Sequence, residues 1–319
     1  MSGEAQRSIE SGVIPEMRSI NEAVAIVSFL AGQHSTDPIA IIDEFERVKS
    51  ADERMLFADF IKQLGDQSVP LRLIFCGVGA SLDELLDAHH SCYRYLATVG
   101  LERLPIDGRL EIISAAMSAF NLDIDDATRY RIATISDGFP HYVHLVCEKL
   151  LWEVFSDENR SARALPEHFT AAISAAARDI EPKLRSTYEK AVRKYTDGYE
   201  EVLWAVADDK ELIRRSADIF WSYERIMKER LAAGSTAKDG VLNRDKFNQR
   251  MNALKQPASA EILKATRSGW YSFSENIVRG YVRLHAQEQG VELEVDHQLL
   301  GRRFIRPNLY PTKVEVNRR

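Results

Sequence analysis

The run Pro38-Ile39-Ala40-Ile41-Ile42-Asp43-Glu44 constrains the chain more than any other stretch. Its apolar residues follow one another without alternation and stop abruptly at two adjacent carboxylates. A short run of β-branched and small side chains of this kind reads as a strand buried on both faces, as in a parallel sheet covered by helices. Ligands of such sheets bind beyond the carboxyl ends of the strands, which is where this acidic pair falls. The plain alternative is an Asp that caps the next helix.

The flanking sequence supplies the rest of such a unit. Over residues 17–33, Ile20, Val24, Val27 and Leu30, with Ala23 and Ala31, recur three or four apart, which predicts a helix with one buried stripe. A second amphipathic helix is expected over 45–64, closed by Gly65-Asp66. Residues 71–76 form another short apolar run and lead into Gly77-Val78-Gly79-Ala80-Ser81. Two strands joined by such a helix make a right-handed parallel crossover. Ser81 is placed to cap a short helix over 82–87, and a third strand is expected over 97–104.

From residue 107 the period becomes helical. Helices are expected over 109–120, 125–136, 139–155 and 166–180, with Ile112, Ile113, Ala116 and Phe120 in the core. A charged helix over 181–194 follows, then helices over 199–207, 211–233 and 243–255. A two-stranded wing over 261–265 and 270–273 turns at Thr266-Arg267-Ser268-Gly269, and Ser274 is read as the cap of a last helix over 275–289. Helices followed by a small hairpin make a winged helix-turn-helix.

The 319 residues leave room for two or three domains. Charge separates along the chain: residues 1–180 carry −12 and residues 181–319 carry +6, giving the net −6. The second half is therefore the one that can meet a polyanion. Three scattered cysteines form no CxxC pattern, which argues against a disulfide framework or a zinc site and for a reducing setting. The chain has no basic region followed by an apolar core at its start, and no uncharged apolar run of spanning length. The expectation is a cytoplasmic chain without a membrane partner.

Three pieces in this order resemble an AAA+ ATPase of the initiator (origin-recognition-like) or STAND type. They are the strand ending Asp43-Glu44, the strand ending Phe75-Cys76-Gly77-Val78-Gly79 with Ser91-Cys92-Tyr93-Arg94 downstream, and Gly138-Phe139-Pro140-His141 opening a helix. The resemblance spans about residues 17–180. It implies ATP and Mg²⁺ as cofactors, with Asp43 as the metal acid of a Walker B position, Glu44 as catalytic base and Arg94 reaching the γ-phosphate of a neighbouring subunit. It also implies that the nucleotide is bound by Ser81, substituting for the polar side chain missing at Gly77, and by the lid turn of Gly138 and Pro140, with His141 (or His144) where many relatives use Arg. Self-association through the ATPase module follows from the same resemblance.

One departure limits what the resemblance carries. The sequence contains no GxxxxGK[ST] loop, the element whose backbone amides and lysine cradle the β- and γ-phosphates. Either the chain is the downstream part of a longer protein or residues 1–16 improvise a cover. ATP turnover by this chain alone is not expected, because positioning and charge neutralisation supply nearly all of phosphoryl-transfer catalysis.

Each candidate has a plain reading beside it. Apart from the resemblance, Arg94 reads as a surface arginine packing its stem, and His89-His90 as a polar turn and His141 with His144 as lid packing rather than metal ligands, since neither pair brings further ligands. The helix over 243–255 interleaves Arg244, Lys246, Arg250 and Lys255 with Asn243, Asn248, Gln249 and Asn252, the side chains that bind phosphates and base edges. With Arg267 and a basic tail they form a candidate surface for double-stranded DNA, although solvated helices look alike.

The expected architecture is therefore α/β: a partial P-loop (AAA+) parallel sheet over 1–105, a helical lid over 106–180, a mainly α winged-helix domain over 181–290 and a basic tail over 291–319. The expected function is a nucleotide-dependent switch associated with DNA. The alternative is a non-catalytic DNA- or protein-binding regulator on a degenerate ATPase scaffold. A metal-dependent hydrolase built on Asp43 and Glu44 is a weaker third reading, since the sequence offers no further ligand.

Overall fold

The computed structural model describes residues 17–34, 37–77, 93–158, 161–193, 198–234 and 240–293. Ser81, the helix expected over 82–87, His89-His90 and the basic tail from 294 onward lie outside the described residues. The chain divides into two compact units, with the boundary after Leu101.

In the first unit, helix α1 (Ile20–His34) packs on helix α2 (Ala51–Asp66), and strands β1 (Ile39–Ile42) and β2 (Arg72–Phe75) pair in parallel with Ile39 opposite Arg72 and Ile42 opposite Phe75. Ser50 caps α2 by accepting the Glu53 N–H, and buried Ala58, Ile61 and Leu64 mark its inner face. Three aromatic rings lock the inner face of the sheet: Phe45, Phe57 and Phe75 meet edge to face at centroid distances of 4.9 to 6.2 Å.

The strands are not buried on both faces as expected. Ile39, Ile41 and Ile74 point away from the aromatic cluster and are 57%, 65% and 44% exposed, while Ile42, Leu73 and Phe75 pack into it. The unbroken apolar run therefore resolves into an alternation whose outer half is bare among the described residues. The third strand expected over 97–104 does not form; Ala97 to Pro105 has no regular structure, with Val99 and Leu101 80% and 93% exposed.

The second unit has one continuous core that reaches from Ile113 to Leu293. Helices α3 (Ile106–Ala119), α4 (Asp126–Ile135), α5 (Pro140–Ser156) and α6 (Pro166–Arg178) open it. Proline occupies the first turn of α5 and of α6, where its missing N–H costs nothing. Phe120, expected in the core, is 68% exposed because α3 ends one residue before it.

Helix α7 (Pro182–Val192) leads to α8 (Tyr199–Ala207), strand β3 (Arg214–Arg215), α9 (Ser216–Ala232), α10 (Arg244–Ala253), the hairpin β4 (Leu263–Arg267) and β5 (Trp270–Phe273), and helix α11 (Asn276–Glu288). The helix expected from 211 starts only at Ser216, its first turn being replaced by β3. The three strands are antiparallel in the order β3-β5-β4. Ser274 does not cap α11: its hydroxyl donates to the Glu261 carbonyl, and Glu275 stands at the cap position without a side-chain bond.

Helix α11 is the axis of this unit. It touches α4, α6, α7, α8 and β5, and all but one of its residues from Val278 to Ala286 are buried. Among the described residues, no helix is long and apolar enough to cross a membrane.

Candidate functional site

The chain turns sharply after β1. Cys76 N–H donates to the Ile42 carbonyl and Phe45 N–H to the Cys76 carbonyl, so the ladder carries Phe45 into the aromatic cluster. Glu44 makes the turn in the left-handed region at φ 53° and Asp43 Oδ1 accepts the Glu44 N–H at 2.8 Å, the local self-bonding for which Asp is favoured in turns. Glu44 Oε2 in turn accepts Arg47 Nη1 at 2.5 Å, with both side chains exposed.

This geometry is a weak fit to Mg²⁺-ATP. Asp43 is exposed at the strand end and can offer an oxygen to a cation, but Glu44, the base implied by the resemblance, is paired with a guanidinium of its own turn. Among the described residues no three His, Cys, Asp or Glu side chains group as metal ligands.

Arg94 lies at the other end of the unit. Parallel pairing of β1 and β2 makes α2 run back from the carboxyl end of β1 to the amino end of β2, and its 16 residues span about 24 Å. Arg94 Nη2 donates to Asp66, the last residue of α2, at 3.1 Å. The Tyr95 hydroxyl donates to the same carboxylate, and chiefly this bond holds the Asp66 carboxyl below its ordinary range. Tyr95 lies across Gly65, where a Cβ would come within 2.5 Å of the ring. Asp43 and Glu44 are thus neighbours, and Arg94 is separated from them by the length of a helix.

At the turn before α5, Gly138 adopts φ 81° and accepts the Leu104 N–H on its carbonyl. Pro140 opens α5, and His141 and His144 on its first turns are exposed. The charged residue that matters here is one the sequence reading passed over. Asp137, with φ 53° and a side chain 1% exposed, receives three arginines. Arg279 Nη1 donates to both its oxygens at 2.9 and 3.0 Å, Arg283 Nη1 to Oδ1 at 2.8 Å and Arg103 Nη1 to Oδ1 at 2.6 Å. A signal was present: Arg279 and Arg283 stand four apart among Val278, Tyr281, Val282 and Leu284, which puts two cations on a buried face that only an acid can balance.

The basic residues of α10 and the hairpin divide into two groups. Arg244 stacks over Phe220 at 4.7 Å and donates to Ser216 Oγ, Arg250 covers Tyr199 at 4.8 Å, and Lys255 covers Tyr271 at 5.3 Å. These stems serve the packing of α10 on the core. Lys246, Gln249 and Asn252 on α10 are exposed, as are Lys264 and Arg267 on β4, with Arg267 held 4.0 Å over Trp270. The positive balance of the second half does not reside here: residues 199–293 hold fifteen Lys and Arg against fourteen Asp and Glu.

No protein-family model and no curated protein matches the chain. Several solved structures do. Cdc6p from Pyrobaculum aerophilum is 13% identical, with 91% of this chain and 76% of that chain covered at a TM-score of 0.38. The RuvB Holliday junction branch migration motor of Thermotoga maritima is 14% identical, covered over 87% and 76% at 0.39. A variant of the same RuvB is 16% identical, covered over 83% and 75% at 0.42. At such identities and TM-scores, the functional reading rests on the geometry of the site.

Proposed function

We propose that the chain is a non-catalytic regulator on an AAA+-like scaffold, in which residues 199–273 form a winged helix that meets double-stranded DNA. The observation that supports this reading is the order α8, β3, α9, α10, β4, β5 with the sheet order β3-β5-β4, in which α10 would serve as the helix and the β4–β5 hairpin as the wing. Lys246, Gln249, Asn252, Lys264 and Arg267 form the outward polar surface of these two elements. Three or so basic side chains are enough for phosphate contacts, and Gln249 and Asn252 are suited to adenine edges.

The test is a titration of duplex DNA at two salt concentrations. Expected is weak binding whose logarithmic salt slope is about −2 to −3, about −0.9 for each phosphate neutralised, reduced by about one in Lys246→Ala and again in Arg267→Ala. Binding that is absent at low salt, or indifferent to both substitutions, overturns the reading.

A second reading keeps the nucleotide. Asp43 at the carboxyl end of β1 is the acid that Mg²⁺ would need, and Arg94 is exposed, as a residue serving the site of a neighbouring copy must be. Micromolar Mg²⁺-ATP binding by calorimetry, lost in Asp43→Asn, would favour this switch over the non-catalytic scaffold.

A further inference from the structure

Asp137 is a hub on which one arm differs from the other two. Arg279 and Arg283 approach it from α11 with side chains 1% exposed, whereas the Arg103 side chain is 26% exposed. Arg103 belongs to the segment 102–105, the first residues after the division at Leu101. That segment is held at four points. Arg103 Nη1 donates to the carboxylate and, at 3.1 Å, to the carbonyl of Asp137; its Nη2 donates to the Lys210 carbonyl at 2.5 Å. Leu104 N–H donates to the Gly138 carbonyl at 2.8 Å, and the Leu104 carbonyl accepts Arg109 Nε at 2.8 Å. Just upstream, Gly100 has nothing within 4 Å of a Cβ position.

We propose that residues 102–105 are a strap with a clamped and a released state, and that Arg103 is the positioning residue that sets the balance between them. Asp137 keeps both buried arginines when Arg103 leaves, so release exposes no unpaired buried carboxylate and needs no opening of the core. Release also breaks the bond between Leu104 and Gly138, and so frees the turn that opens α5 from that contact. Arg103 reaches solvent, so its hold on Asp137 is the screened member of the cluster, and salt shifts the strap toward release without touching the Arg279 and Arg283 bonds. Gly138 is part of the fit: a Cβ there would lie 2.7 Å from Cβ of Arg103 and 3.0 Å from the Leu104 carbonyl oxygen, so only glycine lets the strap close.

The experiment is amide hydrogen exchange on the full chain, comparing the wild type with Arg103→Met and Arg103→Lys. Loss of charge-assisted bonds predicts roughly 10- to 100-fold faster exchange at the Leu104 amide in Arg103→Met, while interior amides of α5 and α11 keep wild-type protection. Arg103→Lys, which keeps the charge without the planar fork, falls between the two, and it carries the test if the methionine variant does not fold. High salt accelerates Leu104 in the wild type and not in Arg103→Met. Unchanged Leu104 exchange in both variants, or an equal rise throughout α5 and α11, overturns the strap.

Discussion

The ring of Tyr142 lies directly against the backbone of Gly280: a Cβ on Gly280 would come within 2.2 Å of Cε2 and 2.5 Å of Cδ2. The Tyr142 hydroxyl also donates to the Ile277 carbonyl at 2.7 Å. This contact brings α5 and α11 together beside the Asp137 cluster, since Gly280 directly follows Arg279. A glycine inside a helix costs about 1 kcal/mol relative to alanine, and here the close approach of a buried aromatic ring offsets that cost.

Gly280→Ala is therefore expected to destabilise the second unit by about 1–3 kcal/mol, the range for overpacking a filled core, although alanine is the better helix former. All four tryptophans, Trp152, Trp204, Trp221 and Trp270, lie after residue 101, so denaturant unfolding followed by tryptophan fluorescence reports this unit alone. Combined with Tyr142→Leu, the alanine should lose most of its penalty, because the two positions share one contact. An additive double variant would show that the penalty arises elsewhere.

Asp137→Asn leaves three guanidiniums around a neutral amide, two of them fully buried. Breaking a buried pair in this way costs about 3–5 kcal/mol, and the same fluorescence assay should show it. Arg283→Met leaves Asp137 with two arginines and should cost less, and the partly exposed Arg103→Met less again. Equal losses in the three variants would argue against a hub centred on Asp137.

The periodicity of the sequence carries the helical half well. The hairpin over 263–267 and 270–273 lies within two residues of where the apolar and aromatic residues put it, and α11 within one. The sheet was less legible. An unbroken apolar run cannot tell a strand covered on both faces from one whose outer isoleucines are bare, because that depends on what packs there, and Ile39 and Ile41 are more than half exposed. The acidic pair was legible as a strand end but not as a turn in which Arg47 occupies Glu44. Three of the five basic residues proposed for DNA sit over aromatic rings distant in sequence, such as Tyr199 beneath Arg250, and spacing along one helix carries no information about them.

The cap of α4 gives the second unit a pH signature. Asp125 accepts the Thr128 N–H and hydroxyl at 2.8 and 2.7 Å. The backbone bond from Thr128, ahead of burial, which acts the other way, holds its carboxyl below the ordinary 3.8. A carboxylate depressed in the folded state stabilises it above the unfolded value and loses that contribution as pH falls through the lower folded value. Asp125→Ala should therefore cost about 1 kcal/mol near neutrality and progressively less below pH 3.8, whereas Asp125→Asn, which still caps, should cost little and flatten this part of the acid profile. A penalty for Asp125→Ala that stays constant down to the acid limit would contradict the assignment.

Cys147 offers a direct readout of whether the two halves of the second unit open together. It lies on α5 between Val146 and Leu150, is 2% exposed, and burial pushes its thiol up to about 12. At pH 8 the native thiolate fraction is then roughly one in ten thousand, and the sulfur is out of reach of an alkylating reagent, so labelling must proceed through opening of the helical core. The half-buried Cys76 of the first unit serves as an internal reference. Peptide mapping after iodoacetamide treatment should find Cys147 unlabelled in the folded wild type and labelled in denaturant. Because α11 is wedged against α5 at Gly280 and tied at Asp137 to the turn that precedes α5, both Gly280→Ala and Asp137→Asn should raise the labelling rate of Cys147 while leaving that of Cys76 unchanged. Arg103→Met should leave it close to wild type, since Arg103 is the one arm that can leave without loosening the core. Labelling of Cys147 that ignores Asp137→Asn would mean that α5 opens without α11, and the axis role of that helix would fall.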